Sequence, residues 1–347
     1  MIKYPKTRQF SDAIRDVRHK ARFKGLDENN QPVYSEESLP VIPFTGTVKL
    51  HGTNAGISWN AKDGLTCQSR NRVVSQGHFG FPEMIEREIE YVEEILEISI
   101  NKAEELGLFR EDRDTISIFG EWAGPGIQNG VAISQIPEKV WFIFGVKVNN
   151  KEGEGIWLDI VRHLSVPDCS SIKNIHSYTE YVVDIDFNNP KLIQNYLIKC
   201  TEEVENQCPV AKEYGVSGIG EGIVWSAYWK GERIIFKTKG EKHSSSKVKT
   251  LASVNPEKVK SILEFVENYV SLNRVQQAIR EVSDIKDIPV EQITRRDTGD
   301  VIRWVVNDIF EEGKATMHAS GIEKKDVSKE ISHKSRKKFF DILDTIE

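Results

Sequence analysis

Along this chain the spacing of apolar residues changes character once, after the run Ser244-Ser245-Ser246. Before it, short segments rich in Ile, Val, Phe and Trp dominate: Phe44–His51, Ala55–Asn60, Leu65–Ser69, Thr115–Trp122, Val140–Val148, Glu221–Trp229 and Arg233–Thr238. Such segments, parted by Gly- and Asn-containing turns, predict strands. Two helices are expected among them. Pro82 opens one, with Ile85, Ile89, Val92, Leu96, Ala103 and Leu106 at helical spacing and Gly107 suited to its C′ position, and Lys191–Cys208 reads as the other. After the serine run, Pro256–Tyr269, Val275–Val282, Thr298–Glu312 and Lys324–Ile346 all fit helical periodicity. The expectation is an α+β domain over 1–245 followed by an all-α domain over 246–347. A length of 347 residues suits two domains at ~150 residues each.

Composition sets further bounds. With 47 Lys plus Arg against 53 Asp plus Glu, the net charge is −6, so any polyanion must bind through local basic patches. Two segments offer them: 230–249 and 324–338 each carry seven Lys or Arg against two acidic residues. The charged start, Met1 to Phe10, has no apolar core of a secretory signal, and apolar runs such as Val140–Val146 are far below the roughly 18 residues that span a bilayer. Cys67, Cys169, Cys200 and Cys208 form no C-x-x-C pair, and read as reduced packing residues of a cytoplasmic protein rather than metal ligands.

The most informative string is Lys49-Leu50-His51-Gly52-Thr53-Asn54. A lysine at a strand end before a Gly turn can hold its amine in a pocket. Five fixed letters at ~1/20 each over ~340 windows give a chance rate of order 10⁻⁴. Further segments follow in order: Ser69-Arg70-Asn71-Arg72, then Phe119-Gly120-Glu121-Trp122-Ala123-Gly124-Pro125-Gly126-Ile127-Gln128, Trp141-Phe142-Ile143-Phe144, Glu221-Gly222-Ile223-Val224 and Phe236-Lys237-Thr238-Lys239. Singly, each of these later segments is ordinary strand or core sequence.

Together, from about Thr45 to Lys249, they resemble motifs I, Ia, III, IIIa, IV and V of the covalent nucleotidyltransferases, and H-G-T-N with G-P-G-I-Q looks most like the RNA ligase 2 branch of ATP-dependent RNA ligases. The resemblance implies a nucleotidyltransferase domain (ATP-grasp-like ligase) of antiparallel sheets with flanking helices. It implies ATP and Mg²⁺ or Mn²⁺ as cofactors, and RNA with 5′-phosphate and 3′-OH ends as partner, with no membrane and no obligate protein partner. By the same resemblance Lys49 takes AMP, Lys237 and Lys239 hold the α-phosphate, and Glu221 is the main metal carboxylate. Glu121 accepts from a ribose hydroxyl and Phe144 stacks on adenine, with Phe142 on the same strand face as a support or substitute. Arg70 contacts nucleotide and RNA, and His51 and Asn54 shape the phosphate pocket. Arg72, Lys242 and Lys247 are expected on RNA.

The chemistry of these residue types agrees. A lysine amine attacks an α-phosphate only when unprotonated, near 10.4 when unperturbed, and neighbouring cations with desolvation lower that value. Lys237 and Lys239, two apart on a strand, share a face and would supply the cations. Val48 and Gly145 depart from the pattern, since relatives commonly carry acidic residues at both positions. Other readings stay open: a DNA-joining ligase, a capping-type guanylyltransferase, or a non-catalytic RNA-binding protein on the same fold. DNA ligases and capping enzymes usually continue into a strand-rich domain, whereas here the pattern turns helical, and the resemblance to the RNA ligase 2 branch implies that residues 246–347 help engage RNA ends.

Overall fold

The β-branched and aromatic segments form strands; burial alternates at the start of Val41–Lys49, whereas Thr115–Ala123 and Val140–Asn149 are buried nearly throughout, on both faces. The computed structural model describes residues 2–26, 28, 30, 32–35, 37–150, 155–169, 171–242 and 262–346. The chain divides into two units, Met1–Gly240 and Glu241–Glu347. The expected boundary at residue 246 lies outside the described residues.

In the first unit a seven-stranded sheet runs in the order β10 (Ile172–Asn174), β8 (Val140–Asn149), β7 (Thr115–Ala123), β4 (Thr53–Asn60), β5 (Gly64–Ser69) and β6 (Val73–Val74), with β9 (Gly155–Leu158) also on β8. A four-stranded sheet runs β11 (Glu180–Asp186), β3 (Val41–Lys49), β12 (Gly222–Trp229) and β13 (Glu232–Lys239). β1 (Phe23–Leu26) and β2 (Pro32–Tyr34) form a separate ribbon. All pairings are antiparallel except β10 with β8.

One face of the large sheet is dry. Ile57, Ile118, Trp122, Trp141 and Ile143 bury against Phe81, Ile85, Val92, Leu96 and Ala103. Those five come from two helices rather than the single one expected, α2 (Phe81–Arg87) and α3 (Ile89–Glu105). The break is at Glu88, whose carboxylate accepts from Arg87 Nε at 2.8 Å and Ser171 Oγ at 3.3 Å. Gly107 takes the positive φ of 68° that the C′ position needs.

The four-stranded sheet is backed by α4 (Gln194–Asn206), shorter than the expected Lys191–Cys208 because its first residues form a 3₁₀ turn, Pro190–Ile193. A short helix, α5 (Pro209–Glu213), follows it. Thr201 of α4 donates to Thr238 at 2.6 Å, and Trp225 Nε1 donates to the same hydroxyl at 3.1 Å. Thr238 and Phe236 thus point inward, and Lys237 and Lys239 take the opposite face. An element the apolar pattern did not suggest, α1 (Phe10–Arg22), lies along β13, with the Phe10 and Phe236 rings 4.9 Å apart.

The second unit is helical: α6 (Ile262–Tyr269), α7 (Leu272–Lys286), α8 (Thr298–Glu312), α9 (Lys314–Ala319) and α10 (Lys324–Ile346). Phe265, Val275, Val305, Ile309, Ile331 and Phe339 form its core. Arg274, fully buried, is neutralised by Glu312 at 2.5 Å and Asp308 at 3.2 Å. Among the described residues no helix is long and apolar enough to cross a membrane. All four cysteines are unbridged.

Candidate active site

Sheet register brings the lysines together. Gly222, the first residue of β12, faces Lys49 on one neighbouring strand and Lys239 on the other. Across two strand spacings of about 4.8 Å, the two lysines flank a residue with no side chain. A Cβ at Gly222 would lie 2.1 Å from the Thr238 carbonyl oxygen, and its φ of 146° is foreign to other residues.

Glu221 fills the space between the amines. One carboxylate oxygen meets Lys49 Nζ at 2.5 Å and His51 Nδ1 at 3.2 Å, and the other meets Lys239 Nζ at 3.0 Å. Glu221 is 2% exposed and Lys49 21%. Burial by itself would raise the Glu221 carboxyl, but Lys239, Lys49 and His51 override it and hold the group well below the carboxylate range. The carboxylate of Glu221 thus stands between Lys49 and the cations of Lys239 and His51. Lys237 shares the face of Lys239 one pleat away, opposite Val224.

The turn after Lys49 carries the chain from the small sheet to the large one. β3 ends at Lys49 and β4 starts at Thr53, so the crossing is made by Leu50, His51 and Gly52. Gly52 presses on β7: a Cβ there would stand 2.3 Å from the Trp122 carbonyl oxygen. This close approach lets the Gly52 N–H donate to Glu121 Oε1 at 3.1 Å. Burial pushes the Glu121 carboxyl up to about 7; Lys49 opposes this, Glu221 reinforces it, and the Gly52 N–H and Arg70 pull it down.

Asn54 pairs with Glu121 in register, and its buried Oδ1 has no hydrogen-bond partner among the described residues. Such an orphaned acceptor calls for a donor from a ligand or water. Arg70 sits in the tight turn after β5, closed by the Ser69 N–H donating to the Arg72 carbonyl at 2.8 Å, and its charge acts on Glu121. Arg72 ends that turn, partly exposed. Lys242 is exposed, and Lys247 lies outside the described residues.

Phe144 occupies a position that the sequence pattern could not show. Pairing of β7 with β8 slips from Phe119↔Gly145 to Gly120↔Ile143, leaving Phe144 as the extra residue of a bulge. Its carbonyl accepts from Arg233 Nη2 at 3.1 Å. Phe142 is fully buried, in ring contact with Tyr178 and Tyr214, so it offers no open face and is no substitute for Phe144.

Three residues escaped sequence reasoning. Tyr4 places its ring 5.1 Å from Phe144 and 5.5 Å from Trp157, and it senses the charges of Arg70 and Glu121. It is held there because Ile2 and Gln68 exchange two hydrogen bonds, at 3.3 and 2.6 Å, and the Lys237 N–H donates to the Arg8 carbonyl at 2.9 Å. Gln128, the last letter of the G-P-G-I-Q string, donates from Nε2 to the Gly52 carbonyl at 3.1 Å and so braces the turn. Arg233 is the third. Only the Gln128 string carried a sequence signal.

For a divalent cation the expected carboxylate is Glu221, which here meets Lys49, His51 and Lys239. Among the described residues no three His, Cys, Asp or Glu gather into a cage. One carboxylate fits Mg²⁺, which commonly takes one or two carboxylates plus phosphate and water oxygens.

Comparison with known proteins adds the following. A family model described as RNA ligase matches residues 42–239. Among solved structures, the chain is similar to Naegleria gruberi RNA ligase with PPi, at 14% identity and TM-score 0.41 over 70% of this chain and 59% of that one. A lysine-to-alanine mutant of that ligase with ATP and Mn matches at 14% identity and TM-score 0.42, over 70% of this chain and 57% of that one. The chain therefore spans less than two thirds of the length of these structures. The matched family segment contains every described residue of the site from Lys49 to Lys239, and it takes up more than half of the chain, which belongs to the RNA ligase family.

Proposed function

We propose that this chain is an ATP-dependent RNA ligase that joins a 3′-hydroxyl to a 5′-phosphate through a lysyl-AMP at Lys49. The observation that carries the reading is the Lys49–Glu221–Lys239 row, set by strand register and joined to Glu121 through the Gly52 turn. It supports the reading because an amine, a second ammonium and two carboxylates lie within one connected set of contacts.

In the first step Lys49 leaves Glu221, gives up a proton and attacks the α-phosphorus of ATP; the N–P bond forms and pyrophosphate leaves. In the second, an oxygen of the RNA 5′-phosphate attacks the lysyl-AMP phosphorus, and the N–P bond breaks. In the third, the RNA 3′-hydroxyl attacks the 5′-phosphate, and AMP leaves. Lys239 and Lys237 offset charge growing on the phosphoryl oxygens. Glu121 takes the ribose hydroxyl, Phe144 the adenine face, and Arg70 the nucleotide and the RNA end. His51 and Asn54 line the phosphate. Arg72, Lys242 and Lys247 meet the RNA backbone. Glu221 is the residue that would hold Mg²⁺ or Mn²⁺, which when bound supplies positive charge beside the phosphates. The four unbridged thiols, with Cys67 pushed up to about 11 by burial, suit a reducing, cytoplasmic setting.

The test is incubation with α-labelled ATP and Mg²⁺ or Mn²⁺. Acid-stable label on the wild type and none on Lys49→Ala is expected. Equal labelling of the two would end the mechanism. Label from GTP in place of ATP would make it a capping-type enzyme, and joining restricted to DNA 3′-ends a DNA ligase. RNA binding with no label at all would leave a non-catalytic RNA-binding protein.

A further inference from the structure

The site draws on both sheets of the first unit. The small sheet brings Lys49, Lys237 and Lys239, and the large sheet brings Glu121 and Phe144. A ligand that touches both groups needs the sheets held at a fixed spacing. The Gly52 turn ties them at one point, and Arg233 ties them at another. Arg233 stands on β13 and shares the face of Lys237 and Lys239, because side chains repeat every second residue along a strand. Four residues, about 13 Å of strand, part it from Lys237. Its Nη2 crosses to β8 and donates to the Phe144 carbonyl at 3.1 Å. Its register partner on β12, Tyr228, makes a parallel tie, donating its hydroxyl to the Leu158 carbonyl of β9 at 2.8 Å.

The guanidinium is built into its place. It lies over the Trp157 ring, 5.1 Å from the centroid. A Cβ at Gly145 would stand 3.0 Å from Arg233 Nη1 and 3.0 Å from the Trp157 ring, so Arg233 fills the space that a side chain at 145 would take. Phe144 pairs in register with no residue of β7, β9 or β10, so its carbonyl stands outside the ladders and needs another donor. Arg233 supplies one. Its Nε and Nη1 are buried and find no acceptor among the described residues. Burying a guanidinium with donors unused is costly, so what the residue contributes is its hold on Phe144 rather than stability.

We infer that Arg233 is a positioning residue: it fixes the Phe144 bulge from the strand that carries Lys237 and Lys239, and so sets the base-stacking ring relative to the phosphate-holding lysines. The inference rests on the reading of Phe144 as the adenine platform and deepens it by naming what aims that ring.

The test uses the full-length protein with α-labelled ATP and Mg²⁺, and reads the maximal labelling rate and the ATP concentration that gives half of it. Arg233→Met raises that concentration about tenfold, the size of one lost charge-assisted hydrogen bond, and leaves the maximal rate within about twofold. Arg233→Lys, which still donates to the carbonyl but cannot lie flat on Trp157, raises it about threefold. Ribose 5-triphosphate, which has the phosphates without the base, competes equally well in the wild type and in both variants. Phe144→Ala raises half-saturation too, and adding Arg233→Met to it costs less than about twofold more, because Arg233 acts through that ring. Should Arg233→Met melt early, Arg233→Lys, alone and combined with Phe144→Ala, decides. Wild-type half-saturation in both Arg233 variants overturns the inference. So does an equal loss for ATP and ribose 5-triphosphate, which describes a phosphate contact or a collapsed site. A fall in maximal rate with half-saturation unmoved describes a purely structural part and overturns it as well. Unchanged half-saturation in Phe144→Ala removes the adenine role of Phe144, and the inference with it. Calorimetry of ATP binding in the Lys49→Ala background repeats the comparison without chemistry, so a failure of the lysyl-AMP reading is told apart from a failure of the Arg233 tie.

Discussion

Gly52→Ala isolates the turn that links the two sheets. An alanine Cβ would lie 2.3 Å from the Trp122 carbonyl oxygen, 2.9 Å from Ala123 Cβ and 3.0 Å from Glu121 Cγ. The nearest atom belongs to backbone, and β7 is hydrogen-bonded to β4 on one side and β8 on the other, so β7 yields little. Relaxing the carbon–oxygen contact to about 3.3 Å moves the turn by about 1 Å. That shift breaks the 3.1 Å bond from the Gly52 N–H to Glu121 and the brace from Gln128, and it drags Lys49, three residues upstream. The overpacking costs about 1–3 kcal/mol of stability. For a unit of 240 residues this lowers the melting temperature by a few degrees, up to about 10 °C. A displacement of about 1 Å at a nucleophile slows its chemistry about a hundredfold. The assay is the initial rate of label transfer from α-labelled ATP, with a melting curve on the same sample. A Gly52→Ala protein that labels within about twofold of the wild-type rate refutes the view that this close approach aims Lys49.

Other outcomes can be checked in parallel. The Glu121 carboxyl is raised to about 7 by burial, so the apparent affinity for ATP in the labelling reaction should fall as pH drops below about 7, and Glu121→Gln should flatten that dependence. In the same variant, the decline of stability from pH 4.5 to 7 disappears, because the folded wild type holds a proton there that the unfolded chain has released. Glu221 behaves oppositely. Its lowered value means that its stabilisation is full above 4.5 and is lost as pH falls through the folded value, so denaturant midpoints of Glu221→Gln should show a weaker acid branch. At neutral pH that variant loses about 2–4 kcal/mol, less than a fully buried pair because Lys49 keeps 21% exposure. In the helical unit, Arg274→Met removes the buried guanidinium that Asp308 and Glu312 share, and chemical denaturation should report a loss of about 3–5 kcal/mol.

Much of the architecture was legible because apolar spacing is a local signal. The strands at Thr115–Ala123 and Val140–Asn149 and the helices Thr298–Glu312 and Lys324–Ile346 lie where periodicity puts them. The break at Glu88 was not legible: its backbone leaves helical geometry (φ −100°, ψ 25°), and the partner its carboxylate meets there, Ser171, is far away in sequence. The arm before Pro40 held no usable motif, yet Tyr4 stands beside Phe144 through bonds to Gln68 and Lys237 that only the assembled sheets provide.

What the amino-acid string determined by itself was the set of chemical groups and their order: Lys49, Glu121, Glu221, Lys237 and Lys239, with glycines where a side chain has no room. Tertiary structure alone decided which charges touch. Register across β3, β12 and β13 sets Glu221 between Lys49 and Lys239, and the bulge at Phe144 turns one aromatic toward Tyr4 while Phe142 stays buried. The reason is range. Side-chain periodicity is written within a few residues, whereas Coulomb forces, burial and strand pairing also act between segments as far apart as Lys49 and Glu221, which meet only after folding.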